Sequence, residues 1–124
     1  MTDRELLELA AKAAAAAGMA IIDSEAGPQI LERTSSDGTE CYRIWNPLTD
    51  DGDALRLAVK LRMCLMTDEA HSVKAGWPSG KGPAPTVDGT GPWYWKEWPH
   101  HHADYLTATR RAIVRAAAEI GRSM

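Results

Sequence analysis

The chain has 124 residues, 44% of them apolar and 25% charged, which is enough for one packed core, so disorder is not the default expectation. Its formal net charge of −3 argues against a nonspecific nucleic-acid binder, because phosphate binding needs many cations on one face. We therefore expect a single domain that spans residues 1–124.

The cysteines and the longest apolar run give expectations about compartment. Cys41 and Cys64 lie in apolar runs without a CxxC partner, as is typical of buried reduced thiols in the cytosol. The run at residues 13–17 is far too short to cross a membrane, and Lys12 and several acids interrupt the N-terminal segment where a signal peptide would be apolar. We expect a cytoplasmic protein with no membrane partner.

The first predicted element is a helix. Thr2, followed three residues later by Glu5, is typical of a capping box, and apolar residues then recur at helical spacing. Gly18 stands where a left-handed residue ends such a helix.

A β-hairpin is predicted next. The segments "QILERT" and "TECYRIW" flank "SSDG", and Asp-Gly between two such runs indicates a tight turn. A two-residue turn at Asp37 and Gly38 would pair Glu32 with Arg43, an opposite-charge pair that favours this register.

The stretch "RIWNPLTDDGDALRLAVKL" contains several acids followed by a helical apolar pattern. Thr49 or Asp50 can cap the helix, and acids in its first turn are favoured by the helix dipole. A calcium loop would need acids at alternating positions, a central glycine and a distant glutamate, and this spacing is absent. We interpret the acids as helix-starting residues. The predicted core face consists of Leu55, Ala58, Val59 and Arg62, widened by Leu57 and Leu61.

The rest of the chain predicts strands, a long connection and a helix. "MCLMT" and "HSVKAGW" indicate a second hairpin, residues 78–99 are rich in Pro and Gly, and "PWYWKEWP" could form a last short strand. The final segment predicts a helix with an apolar stripe that ends at Gly121; the stripe comprises Leu106, Ile113, Ala117 and Ile120. This order predicts an α+β fold, a small, mainly antiparallel sheet covered by helices at the N-terminus, middle and C-terminus.

Three segments together resemble a known family. "WNPLTDDGDALRLAVKL", with "LLELAAKAA" before it and "TRRAIVRAAAEIG" after it, resembles small uncharacterised proteins of tailed phages and prophages, the phage α-β-α sandwich domain. The resemblance covers the three helices and the first hairpin. It implies a three-layer α/β/α sandwich, a phage or prophage origin and action in the bacterial cytoplasm, and it implies no reaction. It gives the signature residues a structural role; these are Trp45, Asn46, Pro47, Leu48 and Asp50 to Asp53.

The segment "PHHHADY" holds three adjacent histidines, His100, His101 and His102. Histidine clusters bind zinc, but ligands on one helix face need spacings of three or four residues. We interpret the cluster as the solvated start of the helix and predict no cofactor. A metal site completed by Cys64, His71 or another chain is the alternative.

The segment "WYWKEW" places Trp93, Trp95 and Trp98 within six residues. At strand spacing Trp93 and Trp95 share a face, which is typical of packing against a core. The alternative is an aromatic platform for a base or for a protein partner.

The segment "RRAIVR" places Arg111 and Arg115 on one helical face, with Arg110 beside them. An exposed face with salt bridges is the usual explanation of this pattern. A phosphate-binding strip is the alternative.

Three function classes are compatible with these patterns. We favour a noncatalytic phage accessory protein, with homo-oligomerisation a further possibility, that binds an unknown host or phage protein. The first alternative is a binder of a small nucleotide, such as an immune signal, through the Trp and Arg side chains. The second is a metal-dependent enzyme that uses the histidine cluster. We assign no catalytic residue.

Overall fold

The computed structural model describes residues 2–67, 73–77, 93–97 and 104–124. The described strands form two antiparallel three-stranded sheets, in the orders β1-β2-β3 and β4-β5-β6. This confirms the α+β class with helices at the N-terminus, middle and C-terminus, in a small sandwich, although the strands divide between two sheets. The elements are α1 Asp3–Ala16, β1 Ile21–Ile22, β2 Gln29–Thr34, β3 Glu40–Ile44, α2 Asp51–Lys60, β4 Cys64–Thr67, β5 Val73–Trp77, β6 Trp93–Glu97 and α3 Tyr105–Arg122.

The start of α1 confirms the predicted capping box. Thr2 Oγ1 accepts a hydrogen bond from the Glu5 backbone N–H at 3.2 Å, and Glu5 Oε2 accepts one from the Thr2 N–H at 2.9 Å. Gly18 follows the helix with φ +99°, a conformation that favours glycine. The local signals at both ends of the helix therefore act as the sequence predicts.

Helix α3 lies at the centre of the fold and contacts α1, α2, β5 and β6. Most of its buried side chains are alanines, which let the neighbouring elements approach closely. A Cβ atom at Gly121 would overlap the carbonyl oxygen of Leu9, so this glycine permits the close contact with α1. The prediction that Gly121 ends the helix is wrong, since α3 continues to Arg122; the predicted stripe also fails at Leu106, which is 58% exposed.

The first hairpin forms, but the predicted register is wrong. Arg43 lies opposite Ile30, and the ladder has an irregularity between Leu31 and Arg33. The loop closes between Ser35 and Thr39 with Gly38 at φ +88°, which is a three-residue loop. A two-residue turn at Asp37 and Gly38 would place the centre of the hairpin between these two residues, half a residue later than observed. The extra loop residue and the irregularity in the ladder therefore give every strand residue a different partner from the predicted one.

The second sheet confirms both the second hairpin and the last short strand. Leu65 pairs with Ala75, and Ala75 pairs with Trp95 on its other side. Trp77 from this sheet donates its indole N–H to the Leu61 carbonyl oxygen at 2.7 Å, which links the sheet to the end of α2. Across the described ranges, each helix is too short or too polar to span a lipid bilayer.

The buried face of α2 differs from the predicted one. Ala58 and Leu57 are buried as expected, but Leu55 is 58% and Val59 67% exposed. Asp53, by contrast, is buried at 1% exposure. The inward face is thus turned away from the expected apolar row, because it includes a carboxylate that holds the helix in place.

Candidate functional site

The buried carboxylate of Asp53 organises the chain around the start of α2. Arg43 binds it with two hydrogen bonds, Nη2 to Oδ1 at 2.7 Å and Nη1 to Oδ2 at 3.1 Å. The Asn46 backbone N–H donates to Oδ2 at 3.0 Å, and Arg56 Nη2 donates to Oδ1 at 3.2 Å. Asp50 caps the helix by accepting from the Asp53 N–H at 2.8 Å. We call Arg43, Asn46, Asp50, Asp53 and Arg56 the Asp53 node.

The electrostatics of this node indicate a structural role. Burial works to raise the pKa of Asp53, but the hydrogen bonds from Arg43, Asn46 and Arg56 outweigh it and hold the pKa below its ordinary value. A carboxylate that is ionised and bonded through both oxygens is poorly suited to proton transfer or to holding a metal ion. The capping interpretation is confirmed for Asp50, while the buried anchor at Asp53 was missed.

The arginines of α3 that are candidate phosphate ligands are each paired with a carboxylate. Arg110 binds Asp51 at 2.5 Å and also donates to the Leu48 carbonyl oxygen at 2.9 Å. The other two ion pairs are Arg111 with Asp3 at 3.0 Å and Arg115 with Glu97 at 2.9 Å. This is the salt-bridged arrangement, so a nucleotide phosphate would have to compete with three carboxylates.

The described residues include only some of the aromatic and histidine candidates. The backbones of Trp93 and Trp95 lie in β6, opposite Trp77 and Ala75. Trp98 and the three histidines, His100, His101 and His102, fall outside the described residues. Within the described ranges no three His, Cys, Asp or Glu side chains come together as metal ligands would.

A groove of about 640 Å³ lies between the end of α1 and the outer face of α2. We call it the α2 groove; its lining residues are Ala17, Met19, Leu55, Arg56, Val59, Lys60 and Arg62. Leu55 and Val59 are four residues apart on α2 and form an apolar row, and Arg56 and Lys60 form a cationic row beside it. The groove therefore presents two parallel stripes of different chemistry.

The charged side chains that line the α2 groove all have the same sign. All three charged residues that line it are cations, in a chain whose net charge is −3. Lys60 and Arg62 are exposed, and neither forms an ion pair within the part of the chain described here. The Lys60 side chain lies over the end of α1, since a Cβ on Gly18 would be 3.8 Å from its Nζ atom. An acidic group in the groove would thus find cations that are not neutralised.

Arg62 has an unusual backbone conformation. It follows α2 with φ +57°, and it is the only residue other than glycine with a positive φ in the described chain. Left-handed backbone costs a side-chain-bearing residue about 1 kcal/mol, which is why glycine is usual at helix ends. The chain accepts this cost and places a cation at the end of the groove.

Sequence reasoning missed this groove because it assigned Leu55 and Val59 to the core. Two apolar rows with helical spacing exist in α2, and period alone does not tell which one is buried. A signal was available: Asp53 is in phase with Leu57, and Arg43 and Arg56 could pair with a buried carboxylate there. Charge pairing between elements, added to periodicity, would have pointed to the correct face.

Comparison of this chain with protein-family models, with curated proteins and with solved structures finds no match in any of the three. The α2 groove supplies alkyl, ammonium and guanidinium groups, which bind apolar surface and carboxylates. These groups are suited to binding another molecule that carries both apolar surface and carboxylates.

Proposed function

We propose that this chain is a noncatalytic protein-binding module whose α2 groove takes an acidic, apolar segment of another protein. The observation that carries the proposal is the exposed row of Leu55 and Val59 beside Arg56, Lys60 and Arg62. Covering an apolar row with a partner removes it from water, and the adjacent cations select a partner with carboxylates. A basic, apolar partner would be repelled.

The expected complex is of moderate strength and sensitive to salt. Burying an aliphatic side chain contributes about 1.5–3 kcal/mol when it is fully exposed beforehand, and Leu55 and Val59 are 58% and 67% exposed. Exposed ion pairs contribute roughly 0.2–1 kcal/mol each and weaken as salt is added. Apolar contact therefore supplies most of the affinity, while charge supplies selectivity and faster association.

The groove chemistry favours a protein over a nucleic acid or a membrane. Its exposed apolar side chains, Leu55 and Val59, are aliphatic and give bases no aromatic surface to stack on. Two such side chains beside three cations are also few for stable attachment to a lipid surface. A protein segment with carboxylates beside apolar side chains complements both stripes.

The wider setting of this proposal comes from the sequence. We propose a phage or prophage accessory protein in the bacterial cytoplasm because of the resemblance of the stretch at residues 45–61, and the partner would then be a host or phage protein. The nucleotide binder and the histidine enzyme stay predictions. The pairing of Arg110, Arg111 and Arg115 with carboxylates lends the nucleotide binder no support.

The proposal is tested with a photo-crosslinking amino acid at position 55 in the full chain, expressed in bacteria. Position 106 is the matched control, because Leu106 has the same exposed fraction as Leu55, 58%, and does not line the groove. We expect position 55 to form an adduct whose crosslinked peptide, sequenced by mass spectrometry, is acidic and apolar. The adduct should disappear when Lys60→Glu and Arg62→Glu are added, since both residues line the groove and lie outside the Asp53 node.

Two results would overturn the proposal. One is a set of adducts that is the same at positions 55 and 106. The other is an adduct at position 55 that survives both charge reversals. An adduct with a second copy of the chain would replace the foreign partner with self-association, which analytical ultracentrifugation of the purified protein would show independently.

A further inference from the structure

Building on the proposed function, we infer that the segment bound in the α2 groove is an amphipathic α-helix of about two to three turns. It would carry an apolar row at spacings of three and four residues and a row of carboxylates beside it. A strand or an extended peptide is the competing form of an acidic, apolar segment. The backbone and the spacing of the groove distinguish the two.

The backbone bordering the groove lacks the donors that a strand needs. An added strand gains its affinity from a row of free N–H and C=O groups on a sheet edge. Along this groove the N–H groups are used within the chain: Met19 donates to Ala14, Leu61 to Leu57 and Arg62 to Val59. A helix satisfies its own backbone and needs only side-chain contacts.

The side chains of the groove repeat with the period of a helix. Leu55 and Val59 are one turn apart, as are Arg56 and Lys60, so each row repeats every 5–6 Å or so along α2. A second helix laid along α2 places its own i, i+3 and i+4 side chains at matching intervals. On the α1 side, the small side chain of Ala17 keeps the groove open beside Leu55 and Val59.

The groove also sets the length of the bound segment. From Leu55 to Lys60, the last residue of α2, the helix rises about 7.5 Å at 1.5 Å per residue, and Arg62 lies just beyond its end. Two turns of helix span this distance, and a third would extend past Arg62. The carboxylates should lie on the flank that faces Arg56 and Lys60, with one acid near the end that meets Arg62.

The inference is tested with three fluorescein-labelled peptides that carry the same number of Leu and Glu residues, titrated with the purified full chain by fluorescence anisotropy. The first is a 12-residue peptide with Leu and Glu at helical spacing, held helical by a hydrocarbon staple on its outer face. The second has the same residues in strict alternation. The third is the helical design with a central proline in place of the staple. Each is also titrated with the K60E/R62E variant, which reverses two exposed cations of the groove outside the Asp53 node, and with K12E, whose changed cation is exposed and lies outside the groove.

We expect the stapled peptide to bind at least about tenfold more tightly than the other two, which is about 1.4 kcal/mol. K60E/R62E should abolish this binding and K12E should preserve it. Equal binding of the alternating peptide, still lost in K60E/R62E, would overturn the helix inference and leave the cationic groove intact. Failure of all three peptides, or binding that is unchanged in K60E/R62E, would overturn the groove proposal itself.

Discussion

The charged side chains at the two ends of helix α2 differ in burial and in pairing. At the start, the Asp53 carboxylate is buried and fully bonded to Arg43, Asn46 and Arg56. At the end, Lys60 and Arg62 are exposed and form no ion pair in the described chain. A buried, satisfied charge specifies how the chain folds, whereas cations beside exposed apolar side chains have unused capacity to bind. One short helix is therefore fixed in the fold at its start and exposed to a binding partner at its end.

The largest expected effect follows from removing the anchor. Asp53→Ala deprives Arg43 of its bidentate partner and frees the Asn46 N–H, so we expect the free energy of unfolding to fall by about 3 kcal/mol. Urea unfolding followed by circular dichroism measures this. Asp51→Ala is the matched control: Asp51 is 62% exposed and pairs with Arg110, so its loss should cost at most about 1 kcal/mol. Equal losses in the two variants would contradict the structural reading of the node.

The pH dependence of stability should arise in part from the same carboxylate. The pKa of Asp53 is lower in the folded chain than its ordinary value, so the folded state binds fewer protons than the unfolded state in that range. The stabilisation is therefore complete above about pH 4, the ordinary Asp value, and is lost as the pH falls through the folded pKa. The difference between the urea midpoints of the wild type and Asp53→Asn, measured from pH 7 down to pH 3, should shrink as the pH falls below about 4.

Other carboxylates fix how that experiment is read. Hydrogen bonds from Ser35 and Thr39 lower the pKa of Asp37 to about 2, and those from Thr107 lower the pKa of Asp104. Both contribute to acid sensitivity in the wild type and in the variant alike. A difference between the two proteins that stays constant from pH 7 to pH 3 would show that Asp53 is not the titrating anchor.

Much of the fold could be predicted because its signals are local. The capping box of Thr2 and Glu5 and the two apolar runs of the second hairpin each depend on residues close in sequence. The hairpin register and the role of Gly121 could not be predicted in the same way. One depends on an added loop residue and a ladder irregularity, and the other on a carbonyl of α1 more than a hundred residues away.

The candidate site was less predictable than the fold for the same reason. Which row of α2 faces inward is decided by the bond between Asp53 and Arg43, two residues on different elements. Once that bond is known, the exposure of Leu55 and Val59 follows from helix geometry. Periodicity alone gives a helix with two equivalent faces, and a contact between elements chooses one of them.

A smaller effect should separate folding from binding at the far end of α2. Arg62→Gly relieves the left-handed backbone, so we expect a gain of about 0.5 kcal/mol in unfolding free energy after the lost charge at the helix end is counted. Arg62→Ala keeps the strained φ and should lose stability slightly. Both variants should bind the stapled peptide equally weakly, because both lack the cation. Binding as tight as that of the wild type in both variants would show that Arg62 serves the fold and not the groove.

The smallest expected change in stability concerns Arg56, which belongs to both regions. Its side chain is 56% exposed, and Arg43 holds Asp53 without it through two shorter bonds. Arg56→Gln should therefore lower the unfolding free energy by at most about 0.5 kcal/mol, while it removes one of the two cations in the row beside Leu55 and Val59. We expect peptide binding to weaken several-fold and to lose part of its salt dependence. Fluorescence anisotropy at about 50 and 300 mM salt measures both effects, because the Debye length is about 8 Å at an ionic strength between these two. A loss of stability as large as that of Asp53→Ala, with peptide binding intact, would show that Arg56 stabilises the Asp53 node and takes no part in binding at the α2 groove.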